Sequence, residues 1–107
     1  MIAAVAALVV AGASTPAHAE DVEAIVRHGI ELRRQGHDAE ALTEFQRAMR
    51  IQRSPRTQAQ IALAEQALGL WPGAEADLLA ALDAQGDAWI KKNRTTLANA
   101  LTIIQSQ

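Results

Sequence analysis

Residues 69–82 read GLWPGAEADLLAAL, and residues 36–49, which lie 33 positions earlier, read GHDAEALTEFQRAM. Each stretch begins with a glycine and continues into a segment whose apolar residues recur at helical spacing. The same offset relates six small or apolar positions: Gly29 and Ala62, Gly36 and Gly69, Ala41 and Ala74, Phe45 and Leu78, Ala48 and Ala81, and Met49 and Leu82. This constant offset predicts two copies of one structural unit.

The composition of the chain favours closely packed helices. Half of the 107 residues are apolar but only 3% are aromatic, and alanine and leucine, which dominate, are strong helix formers. The net charge of −2 argues against a general nucleic-acid binder, which needs many basic residues to offset phosphates. Because there is no cysteine, disulfides, zinc knuckles and a cysteine nucleophile are excluded.

The first 19 residues carry no charged side chain. An apolar run over residues 2–13 is followed by Ala17-His18-Ala19, the small-x-small pattern of a leader cleaved before Glu20. This predicts export to the periplasm or beyond. The run is shorter than the roughly 20 residues that a membrane-spanning helix needs, so no permanent span is expected. Retention of the leader as an anchor stays an alternative. A leader normally has a positively charged start, and no lysine or arginine lies near Met1.

Helix-start and helix-stop residues, together with the spacing of apolar residues, predict five helices. They cover about residues 21–35, 39–51, 55–68, 72–84 and 87–105. Gly36 is placed to end the first in a left-handed turn, and Gly69 to end the third. The starts are marked by N-cap residues or prolines: Asp38, Ser54-Pro55, Pro72 and Asp87. Short connections make neighbouring helices antiparallel. The fold class is therefore all-α.

This pattern resembles the tetratricopeptide repeat (TPR), in the form found in exported bacterial proteins. In the first unit the matching residues are Gly29, Leu32, Gly36, Ala41, Phe45, Ala48 and Pro55. In the second they are Ala62, Gly69, Trp71, Ala74, Leu78 and Ala81. The chain departs from the family in three ways: Asp38 replaces an aromatic residue, Glu65 replaces a large apolar one, and the period is 33 instead of about 34.

The resemblance implies a TPR-like domain over residues 20–107. It contains repeat 1 (about 22–53), repeat 2 (about 55–85) and a capping helix (about 87–105). In the cap, Trp89, Leu97, Leu101 and Ile104 are expected to pack on repeat 2, while Lys91, Lys92, Arg94 and Thr95 face water. Because two repeats are few, we also expect self-association through an apolar edge of the first or last helix.

The resemblance further implies a concave groove, lined by the first helix of each repeat, that binds a peptide or partner helix. Transfer by register places these residues on it: Glu23, Val26, Ile30, Arg33, Arg34, Arg56, Ala59, Leu63, Gln66 and Ala67. The lysine and asparagine clamp with which some family members hold a C-terminal carboxylate is absent, because its positions hold other residues.

Charge distribution gives a hypothesis for the partner. Residues 27–56 hold seven arginines against four acids, whereas residues 65–87 hold five acids and no base. These charges can simply be solvated helix faces with i,i+4 pairs such as Glu23 with Arg27. The alternative is that Arg33, Arg34 and Arg56 form a positive groove for an acidic peptide.

No catalytic or metal-binding pattern is found in the sequence. His28 and His37 are not spaced to hold a metal together. Glu40 and Glu44, like Glu75 and Asp77, are expected to be solvated carboxylates without a histidine partner. We therefore expect a protein-binding scaffold, not an enzyme, with no cofactor. The alternative is a structural subunit of an envelope assembly, or a self-associating fragment of a longer TPR-containing protein.

Overall fold

The computed structural model describes residues 17–107, with side chains described from Val22 onward. This part of the chain is all-α and contains no strand. Its helices are α1 (Ala17–Arg34), α2 (Asp38–Ile51), α3 (Pro55–Ala67), α4 (Trp71–Leu82) and α5 (Ala88–Gln105). The five predicted helices are confirmed, with ends close to those expected. The predicted leader, residues 1–19, lies outside the residues whose side chains are described.

Two glycines end the first helix of each pair in the same way. Gly36 and Gly69 have φ of 84° and 73°, the left-handed region. The N–H of His37 donates to the carbonyl of Leu32 at 2.8 Å, and the N–H of Leu70 donates to that of Glu65 at 2.9 Å. The N–H of each glycine donates to the carbonyl three residues earlier. Both turns are therefore Schellman motifs, placed 33 residues apart.

Side-chain caps begin two of the helices as the sequence predicts. Ser54 Oγ accepts a hydrogen bond from the N–H of Thr57 at 3.1 Å, and Asp87 accepts one from Ile90 at 2.9 Å. The N-cap prediction for Asp38 is wrong. The N-cap of α2 is His37, whose side chain makes no capping bond. Asp38 is the first helical residue, where its negative charge suits the positive end of the helix dipole.

The helices form two layers. Consecutive helices contact each other, and the short connections make them antiparallel. In addition α1 contacts α3, and α3 contacts α5. Helices α1, α3 and α5 therefore run in one direction on one side of the described domain, with α2 and α4 on the other. None of the described helices is long and apolar enough to cross a membrane.

Helix α3 is shared between two hydrophobic cores. Ile61 and Ala64 pack with α1 and α2, while Ala59 and Ala62 pack with α4 and α5. An isolated surface helix has one apolar stripe, whereas α3 is buried on two sides. The three alanines among these positions let the neighbouring helices approach closely, so α3 joins the two helix pairs.

The two stretches 36–49 and 69–82 bury equivalent positions. Three residues of α2 and three of α4, related by the offset of 33, have no exposed surface: Ala41, Phe45 and Ala48, and Ala74, Leu78 and Ala81. Burying a large side chain such as Phe45 or Leu78 stabilises the fold by about 2 kcal/mol. Each of these large residues belongs to a different core, so each helix pair has its own central anchor.

The packing face of α5 differs in part from the predicted one. Leu97 and Ile104 are buried as expected, but the third buried residue is Ile90, which the sequence analysis did not select. Trp89 is half-buried. The prediction that Arg94 faces water is wrong, because the residue is half-buried and its Nη2 donates to the carbonyl of Leu82 at 3.5 Å. The other residues expected on the outer face are exposed: Lys91, Lys92 and Thr95.

Candidate functional site on the first-helix face

The predicted groove residues lie on α1 and α3, which contact each other. We call the surface formed by α1, α3 and α5 the first-helix face. Five of the predicted residues are half-buried on it: Ile30, Arg33, Arg56, Leu63 and Gln66. Ala59 does not belong to this surface, because its side chain is fully buried in the core. Val26 is only 3% exposed and contributes to the groove only as part of a pocket wall.

That pocket, of about 300 Å³, lies where the N-terminal parts of α1, α3 and α5 meet. Its apolar lining comes from Val22 and Val26 of α1 and from Ala88 and Trp89 of α5. Its polar lining includes Glu23, Gln52, Ser54, Arg56, Thr57 and Asp87. A concave apolar site with a few polar groups is the usual form of a binding pocket.

Trp89 is a site residue that the sequence did not lead us to expect on the first-helix face. It was expected to pack against repeat 2, and it does contact that core, but it also lines the pocket. Glu23, Arg56 and Trp89 are separated by successive intervals of 33. Extending the repeat by one period was therefore the signal that would have placed α5 on the first-helix face, as the equivalent of α1 and α3.

Two of the three predicted groove arginines are neutralised by neighbouring carboxylates. Arg56 Nη1 lies 3.3 Å from Glu23 Oε2, which joins α1 to α3. Arg34 donates to both oxygens of Glu31, at 3.1 and 2.8 Å. This contact lowers the pKa of Glu31 and raises that of Arg34. Since Arg34 and Glu31 are largely exposed, the pair stabilises the fold little.

Arg33 is the exception. Its Nη1 donates to the neutral Gln60 Oε1 on α3 at 3.0 Å, and no carboxylate among the described residues forms an ion pair with it. Its Nε is buried and has no hydrogen-bond acceptor. Burial lowers the pKa of Arg33, against a smaller raising effect of the charge on Asp38. Arg33 is therefore a partly desolvated cation without an ion-pair partner among the described residues, an arrangement that disfavours the unliganded fold and is common at binding sites.

A second polar cluster joins α1 to α2 and corrects the sequence analysis. Glu44 was expected to have no histidine partner, but His28 Nδ1 lies 3.2 Å from its Oε1. Glu40 likewise has His37 Nδ1 at 3.5 Å. Arg47 donates to Glu44 at 3.0 and 3.4 Å. The bond from Arg47, helped by His28 and opposed by burial, lowers the pKa of Glu44. A carboxylate held ionised in this way is a weak general base.

The described residues contain no group of three or more histidine, cysteine, aspartate or glutamate side chains that could hold a metal ion. In comparisons with known proteins, no family model, curated protein or solved structure matches the chain. The first-helix face is therefore interpreted from its own residues, and the resemblance to the tetratricopeptide repeat stays a prediction from sequence.

Proposed function

We propose that this protein is a non-catalytic scaffold of the tetratricopeptide type, acting in the periplasm or outside the cell. It binds a segment of a protein partner on the first-helix face. The observation that carries the proposal is Arg33, a partly buried cation whose partner is a neutral glutamine. A carboxylate of the bound segment supplies the missing ion-pair partner, with Gln60 fixing the orientation of the guanidinium.

The pocket beside Arg56 provides a second contact for the partner segment, in addition to Arg33. Gln60 follows Arg56 by four residues on α3, which corresponds to about 6 Å along the helix axis. An apolar side chain in the pocket next to Trp89 and a carboxylate at Arg33 are then about two residues apart in an extended segment. The preferred partner is therefore a segment that combines an apolar anchor with a nearby acidic residue.

Selection from a display library of random ten-residue peptides tests this proposal. The immobilised chain is expected to enrich sequences that hold an apolar residue and a glutamate or aspartate about two positions apart. An Arg33→Gln variant should lose the acidic preference, while Arg34→Gln, the neighbouring exposed arginine, should keep it. Enrichment of peptides without acidic residues, or the same effect of both substitutions, would contradict the proposal.

A structural role in an assembly is the second candidate, and exposed apolar residues favour it. Ile103 on α5 is 53% exposed, and Leu79 on α4 is 48% exposed. Self-association through the α5 edge predicts that sedimentation of the purified chain shows dimers or larger species. Ile103→Ser should shift them to monomer. A monomer at every concentration of the unchanged chain would exclude self-association.

A further inference from the structure

The contact between α3 and α4 contains two neighbouring carboxyl groups, Glu65 on α3 and Asp77 on α4. Glu65 Oε1 is buried and has no hydrogen-bond partner. Its Oε2 lies 2.7 Å from the position that a Cβ atom on Gly73 would occupy. The Glu65 carboxyl is therefore packed directly against the backbone of α4, at a point where a side chain on residue 73 would require the carboxyl to move.

No positive charge compensates this pair in the described part of the chain. Helix α4 contains no basic residue, and neither carboxyl forms an ion pair. Asp77 Oδ1 accepts a hydrogen bond from the neutral Gln58 at 3.2 Å. Among the cations on the other helices packed against α3, Arg33 of α1 bonds to Gln60, Arg47 of α2 to Glu44, and Arg94 of α5 to a carbonyl.

Burial is the largest influence on Glu65, because it disfavours the charged carboxylate. The side-chain hydrogen bond with Asp77 and the negative charge of that residue act in the same direction. Together they raise the pKa of Glu65 to about 8. A neutral Glu65 has an O–H that it can donate to Asp77, whereas two ionised carboxylates repel each other across the same contact.

We propose that Glu65 and Asp77 form a proton-sensitive contact, which holds α3 against α4 while Glu65 is protonated and loosens when Glu65 ionises. This role is independent of what binds to the first-helix face. It makes the second repeat tighter in mildly acidic surroundings and weaker in alkaline ones.

The direction of the pH dependence follows from the raised pKa. Between its ordinary value of 4.5 and about 8, Glu65 holds its proton in the folded chain and releases it in the unfolded chain. The folded state therefore binds more protons, and stability falls as pH rises through this interval. The stabilising contribution is complete below about pH 4.5 and is lost above about pH 8.

Two measurements test the proposal on the full chain. In a side-chain carboxyl NMR titration, Glu65 should change its chemical shift with a midpoint well above the ordinary 4.5 and near 8. In thermal unfolding, Tm should fall by at least about 4 to 8 °C between about pH 5 and about pH 9. Glu65→Gln, which has the same shape but does not titrate, should largely remove this fall.

Glu75→Gln is the matched control. Glu75 lies on α4 two residues before Asp77, but its carboxylate accepts a hydrogen bond from Gln105 of α5. This variant should keep the pH dependence of the unchanged chain. A Glu65 midpoint near the ordinary value would overturn the proposal, and so would an equal fall in Tm for Glu65→Gln and the unchanged chain. The NMR titration keeps the test decisive if Glu65→Gln does not fold.

Discussion

The ring of Phe45 occupies the space that a side chain on residue 29 would need. A Cβ atom on Gly29 would lie 2.5 Å from Phe45 Cε1, closer than real Cβ contacts allow. Both residues are buried, so the ring of α2 lies directly on the backbone of α1. At the corresponding positions repeat 2 has Ala62, which is larger than glycine, and Leu78, which is smaller than phenylalanine. The two repeats thus fill the same space in different ways.

Gly29→Ala should destabilise the fold, although alanine is the better helix former by about 1 kcal/mol. The added methyl group cannot be accommodated without moving a buried ring, and overpacking of this kind costs about 1 to 3 kcal/mol. We expect a net loss of about 1 kcal/mol in urea unfolding. Gly86→Ala is the control, since a Cβ there meets no atom within 4 Å; an equal loss in both variants would contradict this account.

The double variant Gly29→Ala with Phe45→Leu copies the pair found in repeat 2. It should be more stable than the sum of the two single changes predicts, because leucine removes the clash that alanine creates. We expect a favourable coupling of about 1 kcal/mol in a double-mutant cycle. Additive losses would show that the two repeats do not pack equivalently here.

Gly36→Ala and Gly69→Ala should also lower stability. The cause at both positions is backbone conformation, and not the crowding that affects Gly29→Ala. No neighbouring atom blocks a Cβ on Gly36, but its φ of 84° disfavours any other residue. The expected loss is about 1 kcal/mol at either position. Asparagine, which tolerates this conformation better, should lose less than alanine. Thermal unfolding of the four variants checks the order, and equal Tm values for alanine and asparagine would contradict it.

Asp87→Ala should weaken the attachment of α5. The carboxylate of Asp87 caps the helix through the N–H of Ile90, and losing an N-cap costs about 1 kcal/mol. Asp87→Ser, which keeps a hydrogen-bond acceptor, should restore most of the stability. The measurement is amide hydrogen exchange. In the alanine variant the exchange rates of the α5 amides should increase more than those of the α2 amides. Unchanged exchange would show that the cap does not stabilise α5.

Arg33→Met should leave the unliganded chain as stable as before or slightly more stable. The substitution keeps much of the apolar stem and removes a partly buried charge that has only a neutral partner. We expect a gain of between 0 and about 1 kcal/mol in urea unfolding. A clear loss of stability would mean that Arg33 supports the fold, and that its charge is not reserved for a ligand.

The helices and their ends could be predicted well because local chemistry sets them. Ser54-Pro55, Asp87, Gly36 and Gly69 act through the backbone of their own turn, so a single sequence contains the information. The prediction for Asp38 failed because an acidic residue suits both the N-cap and the first helical turn, and its neighbours do not decide between them. The buried residues of the repeat were predictable from the constant offset.

The candidate site was less predictable, because it depends on contacts between helices that are distant in sequence. Counting charges in the sequence grouped Arg33, Arg34 and Arg56 as three equivalent cations. Only the side chains that surround each arginine in the structure show that they differ. Glu31 lies on the same helix as Arg34, and Glu23 reaches Arg56 from another helix. The pairing of His28 with Glu44 joins residues 16 apart, beyond the reach of helical spacing rules. No periodic pattern in the sequence indicates which side chains meet across a helix interface.

The proposed role of Arg33 on the first-helix face is to bind a carboxylate of a partner segment. The most direct test is an NMR titration of the isotope-labelled chain with a library-selected acidic peptide and with its version containing glutamine for glutamate. We predict shifts concentrated on α1, α3 and the start of α5, including the Arg33 Nε–H. We also predict about tenfold weaker binding when either the peptide glutamate or Arg33 is replaced by glutamine, with little change for Arg34→Gln. Shifts confined to the outer surfaces of α2 and α4, or equal affinity for the two peptides, would contradict the account.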